Sequence, residues 1–230
     1  MIQVRPSAER HRGGDPTTGI KTLHAFSFGG HYDPENVTFG LLTACNEERL
    51  APGAGFAPHL HRDVEIVTWV IEGELTHEDT SGVTRKLAAG DLQRLSSAAG
   101  VRHVERNGGA EPLRFLQMWL HPATFGGEPE YAALQDAAPK GPGLHRLPHP
   151  LRQPAATLHV GRPQAPDSCV LPAAPYVYVH IVRGTVRLNG TPLTEGDAAR
   201  ITAEPTGVTA QTDGPAEYLV WEMHAVPTYG

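Results

Sequence analysis

Two cysteines, Cys45 and Cys169, are all that 230 residues contain, and they stand in no motif. That excludes a disulfide framework and leads us to expect a reducing compartment. No stretch comes near the ~18 apolar residues of a membrane span. Met1 to Gly14 is polar and lacks the apolar segment of a secretory signal, so a cytoplasmic location is expected. Lys and Arg total 19 against 25 Asp and Glu, a net charge of −6, and no basic run stands out. A direct nucleic-acid partner is therefore not expected.

What is abundant is Gly and Pro, 25 and 21 residues, about one position in five. Ordinary usage would give ~12%. Gly costs backbone entropy in a helix, and Pro removes a donor and clashes. A helical bundle is thereby excluded, while 40% hydrophobic residues exclude disorder. Short strands joined by Gly/Pro turns satisfy both facts. Leu23–Phe28, Thr38–Cys45, Glu65–Glu72, Leu92–Ser96 and Leu113–Leu120 read as strands in a first half. Thr157–Val160, Val177–Val182, Thr185–Leu188, Ala198–Ile201 and Tyr218–Met223 do so in a second. Residues 1–20 read as a loose lead-in. The stretch 126–155 is rich in Pro, Gly and Ala and reads as a linker, with one short helix around Pro129–Gln135.

The halves repeat one another. Gly73, then Gly90-Asp91-x-x-Arg94, then Gly100-Val101 is matched by Gly184, Gly196-Asp197-x-x-Arg200 and Gly207-Val208. Duplication of one β-barrel or jelly-roll module is expected.

The 13 histidines matter through their spacing. His59 and His61 are two apart, and so are His103 and Glu105. In a strand, residues i and i+2 share a face, so each pair can reach one point. Three imidazoles and a carboxylate form a borderline-hard N3O donor set suited to Fe(II), Mn, Ni, Cu(II) or Zn. Such a metal would keep positions open for water, substrate or O2.

A longer pattern surrounds these residues. Gly53, His59, His61 and Glu65 are followed by Gly100, His103 and Asn107. The two runs resemble the signature motifs of the cupin superfamily of small β-barrels. Within it, His59-Leu-His-Arg-Asp-Val-Glu, Glu72-Gly-Glu-Leu-Thr-His, Gly90-Asp-Leu-Gln-Arg and Gly100-Val-Arg-His-Val-Glu resemble the pirin family over residues 20–125. The resemblance implies an all-β bicupin with few short helices. Its parts would be an N-terminal metal-binding barrel (1–125), the linker (126–155) and a C-terminal barrel (156–230). It also implies that His59, His61, His103 and Glu105 hold one divalent metal, Fe(II) first, with Mn, Ni, Cu, Co or Zn as alternatives. The implied activity is cleavage of a flavonol such as quercetin by O2, with Glu105 doubling as the base for the flavonol hydroxyl. The alternative implied role is a metal- or redox-dependent regulatory protein with a protein partner. Three departures from the family pattern stand out. They are Leu60 in place of Pro, Val104-Glu-Arg106 with a charge expected at the pocket mouth, and Ala98 in place of Pro, expected to loosen a turn.

Aligning the copies on their glycines puts Val170, Pro172, Ala210 and Thr212 at the four ligand positions, so the second barrel should bind no metal. Phe56, Ile66 and Met118, near the ligands, suggest an apolar aromatic substrate. The other residues receive plainer readings: Glu65 structural, Trp69 and Trp119 in the core, His77 exposed at a hairpin tip. His121, His145 and His149 read as loop residues, and His180 and His224 as hydrogen-bonded strand residues. His24 and His31 are candidates for the pocket wall.

Overall fold

The second copy of the repeat overlies the first strand by strand in the computed structural model, which describes residues 1–148, 151–202 and 207–228. His149 lies outside the described residues. In the first half a seven-stranded sheet runs in the order β12 (Glu130–Leu134), β9 (Leu92–Ser96), β6 (Glu65–Glu72), β11 (Leu113–Leu120), β4 (Leu42–Leu50), β3 (Ile20–His24), β2 (His11–Gly13). A four-stranded sheet, β5 (His59–His61), β10 (Val101–Asn107), β7 (Glu74–Asp79), β8 (Thr84–Ala88), completes that barrel. The second half has a six-stranded sheet, β1 (Ile2–Arg5), β19 (Ala198–Thr202), β16 (Tyr176–Arg183), β21 (Glu217–Met223), β14 (Ala156–Arg162), β13 (Gly141–Arg146). Its four-stranded sheet is β15 (Asp167–Val170), β20 (Thr209–Thr212), β17 (Thr185–Leu188), β18 (Thr191–Thr194). The order β9-β6-β11-β4 recurs as β19-β16-β21-β14, and β5-β10-β7-β8 as β15-β20-β17-β18. The fold is the expected all-β bicupin. Its only helical pieces among the described residues are three single 3₁₀ turns.

The shared turns show why the repeat is written in glycine. Gly73 and Gly184 have φ of 79° and 77°, and a Cβ on either would lie 2.6 Å from a carbonyl oxygen, of Pro112 or Pro215. Only Gly fits such a close approach in left-handed backbone. The Asp of each Gly-Asp turn closes it by accepting a backbone N–H, Ala88 to Asp91 and Thr194 to Asp197, both at 2.8 Å.

Several expectations are corrected. Residues 1–20 are not a loose lead-in: β1 pairs with β19 of the second half, and β2 pairs with β3 of the first. The 126–155 stretch contributes a strand to each barrel, β12 beside β9 and β13 beside β14. The expected helix at Pro129–Gln135 is strand β12, because β9 offers an open edge for its backbone to pair with. Two early strands lie further along or back than expected, at Ile20–His24 and Leu42–Leu50. In β4 the charged run Glu47-Glu48-Arg49 continues the strand instead of ending it, because Glu47 and Glu48 find partners inside the protein.

The large sheets of the two halves pack on each other. One apolar cluster joins Leu42, Trp69, Met118 and Leu120 to Tyr178, Leu219, Trp221 and Met223. Its polar edges are also satisfied across the seam. The Trp69 indole N–H donates to Glu217 at 2.7 Å, and the Arg183 guanidinium donates to the Ile71 carbonyl at 3.0 Å. His180, expected to be a hydrogen-bonded strand residue, is sealed with neither ring nitrogen partnered. Burial therefore pushes its pKa down to about 3, and it stays neutral.

Inside the barrels the halves diverge. The cross-strand trio Thr68, Gln93 and Gln117 of the first corresponds by register to Val179, Ala199 and Val220 of the second. Those three belong to one apolar cluster that fills the second barrel. The first barrel instead has two separate apolar clusters, around Phe115 and around Leu95. A polar belt that includes Thr68, Gln93 and Gln117 accompanies them. The interior that admits a site is therefore confined to the first half.

Glu47 ties the lead-in and first barrel together. Only 2% exposed, it accepts from Arg10, Arg49 and Arg114 at 3.3, 2.9 and 2.9 Å. Arg114 also reaches Glu195 of the second half at 2.8 Å. Burial would raise the Glu47 pKa, but the arginines outweigh it and hold the carboxyl down at about 2. A depressed carboxyl stabilises the fold above its unfolded value of ~4.3, and that stability is lost as pH falls toward about 2. Glu47→Gln is expected to cost about 3 kcal/mol at neutral pH, the usual cost of breaking a buried pair. It should also flatten the fall of the thermal midpoint across that acid window, measured by calorimetry from pH 7 to 2.

Candidate metal centre

The centre begins with the pairing of a very short strand with a longer one. β5 contains only His59, Leu60 and His61, and β10 pairs with it so that His103 faces His59 and Val101 faces His61. Alternation then does the sorting. In β10, Val101, His103, Glu105 and Asn107 are buried, whereas Arg102 and Arg106 point outward. In β5 the two histidines flank Leu60, which is 52% exposed. The bulky exposed Leu60 takes the place of a turn-stiffening Pro without disturbing the pairing.

The ring nitrogens of His59, His61 and His103 all lie within 4.8 Å of one another. His59 Nδ1 is 2.8 Å from the Ala57 carbonyl, which fixes the proton there and leaves Nε2 a lone pair. That Nε2 lies 3.1 Å from His103 Nε2, and His61 Nε2 is buried with no partner. Burial and the neighbouring imidazoles push His61 down to about 4 and His103 to about 2, so neither is an imidazolium at neutral pH. Three imidazoles converging on one point, with His61 Nε2 orphaned, fit a bound cation.

Glu105 is fully buried, and its carboxylate is held from two sides. Gln93 and Gln117 each donate an amide N–H to a different oxygen, both at 2.5 Å. The glutamines cannot flip, because their own oxygens accept from Tyr131 O–H at 3.1 Å and Trp119 indole N–H at 3.0 Å. Burial pushes Glu105 up to about 7 against these donors. Glu105 converges within 4.8 Å on His103 and on His77, an unexpected neighbour.

His77 is not exposed at a hairpin tip. The turn falls beyond it, closed by Asp79, and the ring is fully buried. It packs 5.4 Å from His103 and 4.6 Å from Tyr131, with Nε2 3.0 Å from Asp79. The Nδ1 atoms of His77 and His103 are both buried and unpartnered.

Beside the histidines opens a cavity of about 370 Å³, within the size range of small-ligand sites. Phe28, Phe56 and Trp119 form its apolar wall. Asn46, Glu48, Glu105 and Gln117 supply polar groups. Trp119, expected in the core, packs edge-on at 5.0 Å to both His61 and Phe28. Ile66 and Met118 lie instead in apolar clusters outside the lining: Met118 points to the other face of its strand, while Ile66 sits opposite Trp119 on the inner face and packs with Leu95 and Val101. His24 stacks on Phe28 from behind and bonds Asn46 at 2.9 Å, while His31 stacks on His11. Arg106 is drawn off to Glu78 at the surface and does not line the cavity. Ala98 adopts φ 45°, which a Pro ring cannot take, so the turn is a different one and not a loosened one. Glu65 accepts from Ser96 at 2.6 Å and lies outside the lining.

The residue that sequence reasoning missed is Glu48. Its signal was the alternation of Asn46 and Glu48 opposite His24 and Thr22 in β3. Two polar i, i+2 pairs face each other there across neighbouring strands. In the second barrel the register puts Cys169 opposite Ala210, as His59 is opposite His103. The equivalents of His59 and His61 are thus offset by one from Val170 and Pro172, while Ala210 keeps the His103 position. No metal-type cluster occurs in that barrel among the described residues.

Comparison with known proteins agrees with this geometry. A family model described as Pirin matches residues 4–120, and one described as a quercetinase C-terminal cupin domain matches 153–223. A Mycobacterium tuberculosis protein provisionally named a quercetin 2,3-dioxygenase is 38% identical over 97% of this chain and 96% of its own. An Escherichia coli protein named quercetin 2,3-dioxygenase is 29% identical over 98% of this chain and 100% of its own. Among solved structures, the bacterial pirin YhhW of Escherichia coli in complex with nickel(II) has a TM-score of 0.89 at 28% identity, covering 98% of this chain and 100% of that one.

Removing the His77 ring should leave a cavity and strip the sealed Asp79 Oδ2 of its partner, while Oδ1 keeps the donors of the turn. His77→Ala is expected to lose about 3 kcal/mol in chemical denaturation. A loss under ~0.5 kcal/mol, typical of an exposed position, would contradict the buried placement.

Proposed function

The chain belongs to the pirin family, and we propose that it is a metal-dependent dioxygenase that cleaves a flavonol with O2. The observation that carries the reading is the convergence of three imidazoles beside an aromatic-walled cavity. His59, His61 and His103 would hold one divalent transition metal, with Glu105 as the fourth ligand approaching from the His103 side. The N3O set suits Fe(II), and the relative solved with nickel(II) supports a divalent ion of this class. When bound, the metal supplies Lewis acidity toward a flavonol oxygen and a partner for O2.

The chain's own residues do the rest. Phe28, Phe56 and Trp119 bind a flat aromatic ligand by burial and ring contact. They also exclude water from the reacting oxygen. Gln93 and Gln117 set the Glu105 carboxylate, with Tyr131 and Trp119 fixing their amides. Asp79 holds His77, whose ring packs against His103. The apolar second barrel binds no metal in this reading and covers the Trp69 face of the first.

The test is O2 consumption with quercetin by protein loaded with Fe(II), alongside metal analysis. One metal per chain and flavonol-dependent O2 uptake are expected. His61→Ala should lower both metal content and turnover by at least ~100-fold, more than loss of an outer-shell partner would. Full loading without flavonol turnover would overturn the enzyme reading in favour of a regulatory metal protein. Two metals per chain would overturn the single centre.

A further inference from the structure

We infer that Glu48 is a further catalytic residue, the base that takes the proton from the flavonol hydroxyl; this rests on the reading above. The cavity lining contains two carboxyls, Glu48 and Glu105. Both Glu105 oxygens already accept short amide hydrogen bonds, and in the reading above Glu105 would be committed to the metal. Glu48 is differently placed. It is only 4% exposed, and β3 pairs with β4 so that Thr22 faces it. The Thr22 hydroxyl donates to Oε2 at 2.5 Å. Oε1 has no protein partner, yet it is not among the sealed polar atoms, so its remaining exposure is to the cavity. It is the one carboxylate oxygen of the lining that is both anchored through its twin and free to accept a proton.

The step is a simple transfer. The ligand O–H bond breaks, its electron pair stays on the ligand oxygen, and a new O–H bond forms on Glu48 Oε1. No electron is gained or lost. Burial pushes the Glu48 pKa up to about 7, with Glu105 and Glu47 raising it and Thr22 and Arg10 lowering it. A base poised there suits a phenol-like proton near neutral pH better than an ordinary carboxylate would.

The experiment is anaerobic titration of quercetin into nickel-loaded protein between pH 5 and 9, following the absorption bands of the neutral and ionised flavonol. Wild type is expected to bind the anion at pH 7. Glu48→Gln should still bind nickel and quercetin but move the ionisation of the bound ligand up by at least one pH unit. With Fe(II) and O2, its kcat should fall ~100-fold or more while KM changes less than about threefold. Glu48→Asp should recover part of the loss. An unchanged ionisation midpoint and kcat in Glu48→Gln would overturn the assignment and leave the dioxygenase reading intact. Failure of wild type to bind quercetin would overturn both. Should the Gln variant not fold, Thr22→Val retains Glu48 but removes the hydroxyl that lowers it. The acid limb of the kcat profile should then move to higher pH, and an unmoved limb would also overturn the assignment.

Discussion

The centre depends on one register. His59 and His103 are 44 positions apart in the chain, and they face each other because β5 pairs with β10 in that alignment and no other. A slip of one residue would send Leu60 and Val104 inward and the imidazoles out. The side chains around the pair hold this alignment. Val101 belongs to a small apolar cluster with Ile66 and Leu95, so a slip would also expose part of the core. The same two-residue period delivers Glu105 to the belt that Gln93 and Gln117 build from two further strands. The chemistry and the folding pattern are therefore specified by the same alternation.

Comparison of the two barrels separates what the fold needs from what the site needs. The glycine turns, the Gly-Asp closures and the strand order are common to both. The interior differs: a hydroxyl and two amides in one barrel are matched by Val179, Ala199 and Val220 in the other. Polar side chains in a barrel interior are costly unless paired. In the first barrel they are paired with one another, chiefly through Glu105. Removing that carboxylate from the belt would take an acceptor from two buried amides at once, so the site is also a structural unit.

Much of this was legible in the sequence. Glu65–Glu72, Leu92–Ser96, Leu113–Leu120 and Thr185–Leu188 were readable to the residue, because short apolar-rich runs there are bounded by turn residues. The histidine pairs were readable because period two is a property of any strand. What was hidden depends on distant partners. Glu47 and Glu48 look like the end of a strand until three arginines and a threonine from elsewhere are supplied. His77 sits close enough to a turn to look exposed, and only the position of Asp79 shows which way the ring faces. β12 is written in linker-like residues, and it is a strand because an edge was available to it. The second barrel's Cys169 was missed by one position because glycine alignment does not record a change in strand pairing.

The insertion of residues 2–5 into the second half's sheet has a consequence for how the molecule is made. Ser7, just after that strand, bonds Asp197 across 190 positions. Its segment leaves the ribosome first among the paired elements of that sheet, yet its partner β19 is synthesised near the end. At ordinary elongation rates of ~5–20 residues per second, the wait is ~10 seconds or more. During that time β2 and β3 can already engage the first barrel, so β1 is held close by a folded neighbour while its own place does not yet exist. The early strand thus joins one end of the chain to a sheet built otherwise from its second half.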